Sequence, residues 1–239
     1  MNYSFILLSA GKSTRFGNVI PKQYLLLAGK PILVHSLERI DTIEEICEII
    51  LVCSDKYIPV IQTYLKQYKI QKKVIFVNGG KTRQESVFNG LQVATQDQVI
   101  IHEAARPFVS VPDFKELIAC SSENVTYTLS IPYTVLKKNE KNIISDVLNR
   151  GDLVNIQLPQ KFSKKDLIEC HNLAIQENKQ FTEDAGMIYY YLKKPVYCLT
   201  GKSYNIKITE YIDSLFGEII YQEDLMGEIR NADMHHNRG

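Results

Sequence analysis

Four times before residue 122, an apolar run of strand character is followed by a segment of helical character, and this alternation leaves few folds open. Ser4–Ser9 pairs with a helix at Pro31–Ile40, and Glu48–Cys53 with Pro59–Tyr68. Lys73–Val77 pairs with Arg83–Ala94, and Gln98–His102 with Val111–Ser121. Strands separated by helices cannot pair as hairpins and must be covered on both faces. The pattern therefore predicts an α/β, Rossmann-like, mostly parallel sheet with helices on both faces. Crossovers are expected to be right-handed. Ligands of such sheets bind outside the carboxyl ends of the strands, so the loops that follow the strands are where chemistry is expected.

The alternation breaks between Val125 and Arg150. Thr126–Ile131 reads as another strand. Tyr133–Lys138 and Ile143–Leu148 then flank a polar tip, Asn139-Glu140-Lys141-Asn142, which is a hairpin pattern. An isolated two-stranded ribbon is marginal in water. A protruding β-hairpin arm over about residues 132–152, packed on the partner subunit of a homodimer, is therefore expected. Helices are expected at Lys164–Gln176 and Glu183–Leu192, a strand at Val196–Leu199, and a further segment after Thr209. The polar tail Asn231–Gly239 is expected to fray. With no internal repeat and no low-complexity linker, residues 1–239 read as one domain.

Composition serves mainly to exclude. A formal net charge of +1 gives no bulk attraction to nucleic acid or a membrane surface, so any phosphate chemistry must come from locally placed cations. No apolar run approaches the roughly 20 residues that span a bilayer. Met1-Asn2-Tyr3-Ser4 lacks the basic lead of a secretory signal. Cys47, Cys53, Cys120, Cys170 and Cys198 are scattered and odd in number, which fits reduced residues and a cytoplasmic location. No cysteine or histidine spacing suits structural zinc.

Local cations gather where the strands end. After the first strand comes Ser9-Ala10-Gly11-Lys12-Ser13-Thr14-Arg15-Phe16-Gly17, continuing to Pro21-Lys22-Gln23-Tyr24. Small residues let backbone N–H groups approach an anion closely, and Arg15 and Lys22 add fixed positive charge. Nucleotidyl transfer needs both, because negative charge concentrates at the reacting phosphorus. After the third strand, Gly79-Gly80 leads through Lys81 and Thr82 to Arg83 and Ser86 at a helix start, again suited to a nucleotide. After the fourth, His102-Glu103-Ala104-Ala105-Arg106-Pro107 offers a carboxylate suited to Mg²⁺ beside a triphosphate. Arg106 is placed to pair with that carboxylate, and His102 reads as structural. Thr182-Glu183-Asp184-Ala185, taken alone, is a helix N-terminus with Thr182 as cap. Lys207, in Asn205-Ile206-Lys207-Ile208-Thr209, is expected at a strand end within reach of the phosphates.

The first loop lacks the spacing of a P-loop and the G-x-G-x-x-G of a dinucleotide fold. A nicotinamide dehydrogenase remains the rival on topology alone, with Asp55 after the second strand as its ribose ligand.

In combination these stretches resemble the 2-C-methyl-D-erythritol 4-phosphate cytidylyltransferase family and the related ribitol-5-phosphate cytidylyltransferases, from Ser4 to about Asp213. The resemblance implies that Arg15, Lys22 and Lys207 are catalytic. It implies nucleotide binding by Ala10, Gly11, Lys12, Ser13, Gly79, Arg83, Ser86 and Ala105. It places the acceptor at Thr134 and Arg150 of the arm and at Thr182, and Mg²⁺ at Glu103. CTP and a small polyol phosphate are the implied substrates, and pyrophosphate the leaving product. The chain departs from the family where Glu103 and Glu183 replace Asp, Tyr133 replaces an Asp, Leu158 a Thr, and Ser13 a Gly. These changes bear more on the acceptor than on CTP. Methylerythritol phosphate is the favoured acceptor because the chain lacks the insertions common in ribitol-type enzymes. Ribitol phosphate or another polyol phosphate is the alternative, and Glu103 motivates a third reading, a nucleotide-binding member with weakened catalysis.

Overall fold

The computed structural model describes residues 1–11 and 20–224. Its centre is a seven-stranded sheet. The strands are β1 (Tyr3–Leu8), β4 (Ile46–Cys53), β5 (Lys73–Asn78), β6 (Gln98–Glu103), β7 (Val125–Ser130), β10 (Val154–Ser163) and β11 (Tyr197–Thr200). Their order is β11-β7-β10-β6-β1-β4-β5. β5, β4, β1 and β6 run parallel, as do β7 and β11, while β10 runs antiparallel to both β6 and β7.

The expected parallel unit is present because its strands are apolar on both sides. Along β1, Phe5 and Leu7 enter one core and Ile6 the other, following the twofold period of a strand. The first core is closed by α1 (Ile32–Asp41), α2 (Ile58–Gln67) and α4 (Val111–Ala119), through Leu33, Leu37, Ile61 and Phe114. The second is closed by α3 (Arg83–Val93), α5 (Lys164–Gln176) and α6 (Asp184–Leu192), through Val87, Leu91, Leu167 and Ile188. Local chemistry starts several of these helices. Thr82 caps α3 by accepting from Glu85 N, Ser163 caps α5, and Ser110 and Asp113 form a reciprocal capping box on α4. A last helix, α7 (Tyr211–Gln222), packs Ile220 with Leu27, Ile32, Phe108 and Ile208.

Between β1 and α1 lies a small hairpin, β2 (Leu26–Leu27) and β3 (Lys30–Pro31). Its turn residues Ala28 and Gly29 both have positive φ, as a two-residue hairpin turn demands. The arm is present as β8 (Leu136–Lys138) and β9 (Ile144–Val147), shorter than the sequence expectation at Tyr133–Lys138 and Ile143–Leu148. Every residue from Leu136 to Asp152 is exposed.

Three sequence expectations need correction. β10 was not anticipated, because Pro159 interrupts its apolar pattern and proline is disfavoured inside a sheet. The sheet accommodates it at a register shift between Gln157 and Gln160, where no ladder hydrogen bond is required of Leu158-Pro159. The strand expected around Lys207 is absent: residues 201–209 are irregular. The cap of α6 is Glu183, whose carboxylate accepts from Ala185 N and Gly186 N, rather than the exposed Thr182.

Candidate active site

The parallel strands β6, β1, β4 and β5, neighbours in that order, end along one edge of the sheet and open into a cleft of about 900 Å³. Ala10, Gly11, Lys22, Gly79, Arg83, Ser86, Glu103, Ala105 and Lys207 all line it, so nine sequence-predicted residues from five separate stretches converge. Lys12, Ser13 and Arg15 lie outside the described residues. The exposed Thr134, Arg150 and Thr182 do not line the cleft, and Arg150 Nη1 instead donates to Pro132 O at 2.9 Å.

The floor is backbone held close. Ser9 N donates to Val52 O at 2.7 Å and Ala104 N to Leu8 O at 3.0 Å, extending the ladder past the strand ends. The two small-residue loops touch: a Cβ on Gly79 would sit 2.2 Å from Ala10 Cβ, so no larger residue fits there. Ser86 Oγ accepts from Gly80 N (3.0 Å) and donates to Thr82 O (2.9 Å), fixing the second loop to the start of α3. Beside them, a 3₁₀ turn at Lys22–Tyr24 carries Lys22 to the cleft. Its buried neighbour Gln23 donates from Nε2 to Ser9 O (2.6 Å) and Gly11 O (3.1 Å), tying the lysine's turn to the first loop.

The electrostatic centre is Glu103, the last residue of β6 and 8% exposed. Lys207 Nζ lies 2.7 Å from Oε2, Arg83 Nε 3.3 Å from Oε1, and Arg106 Nε 3.7 Å from Oε2. Burial alone would raise the Glu103 pKa, but Lys207 foremost, then Arg83 and Arg106, outweigh it and hold the carboxyl at about 2. Glu103 is therefore ionised at neutral pH. Arg83 extends the network: its Nη1 donates to Asp184 Oδ2 at 2.8 Å. Asp184 is fully buried, and although burial opposes ionisation, Arg83 and His171 lower its pKa. His102 is structural, as expected. Its Nε2 contacts Arg106 O at 3.0 Å, and burial lowers its pKa to about 4, so the ring is neutral.

No group of three or more His, Cys, Asp or Glu side chains among the described residues is arranged to hold a metal by itself. The donor set nevertheless suits a cation that binds through substrate. Magnesium commonly takes one or two carboxylates plus phosphate oxygens. Glu103 Oε2 is buried and, though charge-paired, has no well-aligned hydrogen-bond donor.

Sequence reasoning overlooked Gln23, Asp184 and Gln157 as parts of the site's framework. Gln23 lies within the Pro21-Lys22-Gln23-Tyr24 stretch and Gln157 stands next to the substituted Leu158, but neither carries charge, and Asp184 read as an ordinary acid in a helix first turn.

The carboxyl-end cleft, its two small-residue loops and the cations around one ionised carboxylate define a nucleotidyltransferase of the α/β class. The model of the 2-C-methyl-D-erythritol 4-phosphate cytidylyltransferase family matches residues 4–223. The chain is 38% identical over 224 residues to the enzyme of that name from Clostridium botulinum (strain Langeland), covering 92% of this chain and 97% of the relative. It is 35% identical to the one from Geobacillus kaustophilus, with the same coverages, 92% and 97%. Among solved structures, 4-diphosphocytidyl-2C-methyl-D-erythritol synthase from Anaerococcus prevotii superposes with a TM-score of 0.82 at 26% identity, covering 92% of this chain and 98% of that one. The Thermus thermophilus cytidylyltransferase superposes with a TM-score of 0.74 at 25% identity, covering 93% and 100%. The chain belongs to the 2-C-methyl-D-erythritol 4-phosphate cytidylyltransferase family.

Proposed function

We propose that this chain transfers CMP from CTP to 2-C-methyl-D-erythritol 4-phosphate with release of pyrophosphate, a step of isoprenoid precursor synthesis. The observation that carries the reading is the meeting of Lys22 and Lys207 in one cleft with Glu103 and the Gly11 and Gly79 loops. Those residues are nearly 200 positions apart in the chain, and a triphosphate is the ligand their shared chemistry suits.

In this mechanism the backbone around Ala10, Gly11 and Gly79, with Arg83, Ser86 and Ala105, holds CTP. An oxygen of the acceptor phosphate attacks the α-phosphorus in line. The new P–O bond forms as the bond to the bridging α-β oxygen breaks, and pyrophosphate leaves with that electron pair. Lys22, Lys207 and Arg15 neutralise the charge that builds on the α-phosphate oxygens. Glu103 would hold a divalent cation such as Mg²⁺, which would supply further neutralisation of phosphate charge. On that reading Lys207 turns from Glu103 toward the phosphates when substrate binds.

Thr134, Arg150 and Thr182 form the acceptor side. They do not meet within one chain's cleft, which fits an arm that completes the neighbouring subunit's site in a homodimer. Exposed apolar residues on the arm support this: Tyr133, Ile144 and Val147 are 79%, 63% and 73% exposed. A cytoplasmic location is part of this reading, on the ground that Cys47, Cys53, Cys120, Cys170 and Cys198 are all free.

The acceptor-side changes Tyr133 and Leu158 favour one second reading, ribitol 5-phosphate or another polyol phosphate as acceptor. Pyrophosphate release with CTP, Mg²⁺ and each acceptor in turn separates the two. Methylerythritol phosphate is expected to give by far the highest kcat/KM. A preference for ribitol phosphate reassigns the acceptor. Retained CTP binding with no release in either case makes the chain a nucleotide-binding member without efficient catalysis.

A further inference from the structure

Lys207 is the cation closest to Glu103, yet no regular element carries it. β11 ends at Thr200, and the chain from Gly201 to Thr209 is irregular, so no sheet register sets the height of Lys207 over the cleft. A lysine used on a reacting phosphate has to be held more tightly than a free loop allows, since small misplacements lose rate. The backbone groups of this segment must also find partners.

Three of them, Lys202 N, Lys202 O and Asn205 O, meet on one side chain. Gln157, in the interior of β10 and 5% exposed, aims its carboxamide into the segment. Its Nε2 donates to Lys202 O (3.0 Å) and to Asn205 O (3.3 Å), while its Oε1 accepts from Lys202 N (3.1 Å). Asn205 answers by donating from Nδ2 to Leu158 O at 2.8 Å. Arg106, beside Glu103, donates to the same Asn205 carbonyl at 3.0 Å. Gly201 is part of the fit: a Cβ there would stand 2.3 Å from Gln157 Oε1 and 3.1 Å from Thr128 O. Two residues past Asn205, Lys207 reaches Glu103, and Ile208 N closes the segment on Ala105 O at 2.8 Å.

We propose that Gln157 is the positioning residue of Lys207: its carboxamide replaces the missing strand ladder and fixes the loop that presents the lysine to the reacting phosphate. The proposal rests on the reading of Lys207 as catalytic. A carboxamide is required because the clamp needs a donor and an acceptor on one rigid plane; a carboxylate there would set an oxygen, in place of the amide nitrogen, against the carbonyls of Lys202 and Asn205. Gln157 and Gln160 flank the register shift that takes up Pro159; the first faces this segment, and the second donates to Glu183 Oε2 at 3.1 Å. Residues 157 and 160 of β10 thus brace the lysine loop and the cap of α6 from one short stretch.

The test is steady-state kinetics of Gln157→Glu, Gln157→Ala, Gly201→Ala and Lys207→Ala, with the double variant Gln157→Ala/Lys207→Ala, after thermal melting has identified the folded proteins. Losing the clamp is expected to lower kcat about 10- to 100-fold, the scale of a buried polar group left unpaired, with the KM for CTP changed less than about threefold. Gly201→Ala reaches the same clamp from the other side and carries the test if the Gln157 variants do not fold. In the Lys207→Ala background, removing Gln157 is expected to cost no more than about twofold, because residues that act as a unit are non-additive. A wild-type kcat in folded Gln157→Glu or Gly201→Ala overturns the proposal. So does a loss from Gln157→Ala that multiplies in full onto that of Lys207→Ala. A wild-type kcat in Lys207→Ala itself refutes the catalytic reading of the lysine instead, so the two failures are told apart.

Discussion

The cleft and the arm are built on opposite terms. In the cleft, the residues proposed to meet substrate are also held by one another: Glu103 is buried among three cations, Arg83 spans Glu103 and Asp184, and Gly79 packs on Ala10. The arm has a two-stranded ladder and exposed faces, with Tyr133, Ile144 and Val147 open to solvent. A nucleotide site made this way is pre-formed by one chain's own packing. An arm made this way has little to hold it except its turn and whatever covers its apolar side. On the proposed reading, the half assigned to the nucleotide is thus self-contained, and the half assigned to the acceptor is left for assembly to finish.

The largest effects are expected from the cleft. Lys22→Ala and Lys207→Ala should each lower kcat by about 10²- to 10³-fold or more, the scale seen when a fixed donor to transition-state charge is removed. CTP binding by calorimetry should survive. Near-normal turnover in both would dissolve the contrast, because the cleft would then hold charge without using it.

Glu103→Gln should act on stability and on its pH dependence. The folded pKa of about 2 lies below the ordinary 4.5, so the ionised carboxylate stabilises the fold above pH 4.5 and that contribution is lost as pH falls toward 2. A shift of that size corresponds to on the order of 3 kcal/mol. Glu103→Gln should therefore melt lower at neutral pH and show a flatter decline of Tm with acid. A wild-type decline would mean that other carboxylates, Asp184 among them, carry the acid sensitivity.

How legible each half was in the sequence follows from the same contrast. Apolar runs such as Phe5 to Leu8 and Ile49 to Cys53 announce strands by themselves, and their order sets the topology. Small residues and cations after them announce the cleft, since backbone approach and charge are visible as residue types. β10 stayed hidden because Gln157, Pro159, Gln160 and Lys161 break an apolar pattern, and their burial is made possible only by tertiary partners. Lys161, for example, is buried with its ammonium on the Cys120 carbonyl past the end of α4. The loop of Lys207 misled for the converse reason: Ile206 and Ile208 alternate like a strand, yet Ile208 packs with α7 and the backbone bonds to side chains. Framework residues such as Gln23 and Asp184 are recognisable only once the atoms they hold are in place.

The smallest effects on the folded chain, and the sharpest test of the contrast, are expected from the arm. Arg150→Ala should raise the KM for the acceptor about 10- to 100-fold, the loss of a charged hydrogen bond to phosphate, and leave the KM for CTP unchanged. Arg150 is exposed and donates to Pro132 O, so the substitution removes little of the chain's own structure. Ile144→Asp probes what covers the arm. The side chain is 63% exposed, so within one chain the change should cost less than about 0.5 kcal/mol. In a dimer that buries the arm, the same carboxylate would enter an apolar interface unpaired and should shift sedimentation equilibrium toward monomer, with loss of acceptor use at low enzyme concentration. CTP binding should persist in that monomer, since the residues that hold the nucleotide come from one chain. An unchanged oligomeric state with unchanged acceptor kinetics would leave the arm an ornament of the fold. Loss of CTP binding along with the dimer would show that the cleft, for all its internal contacts, depends on assembly as much as the arm does.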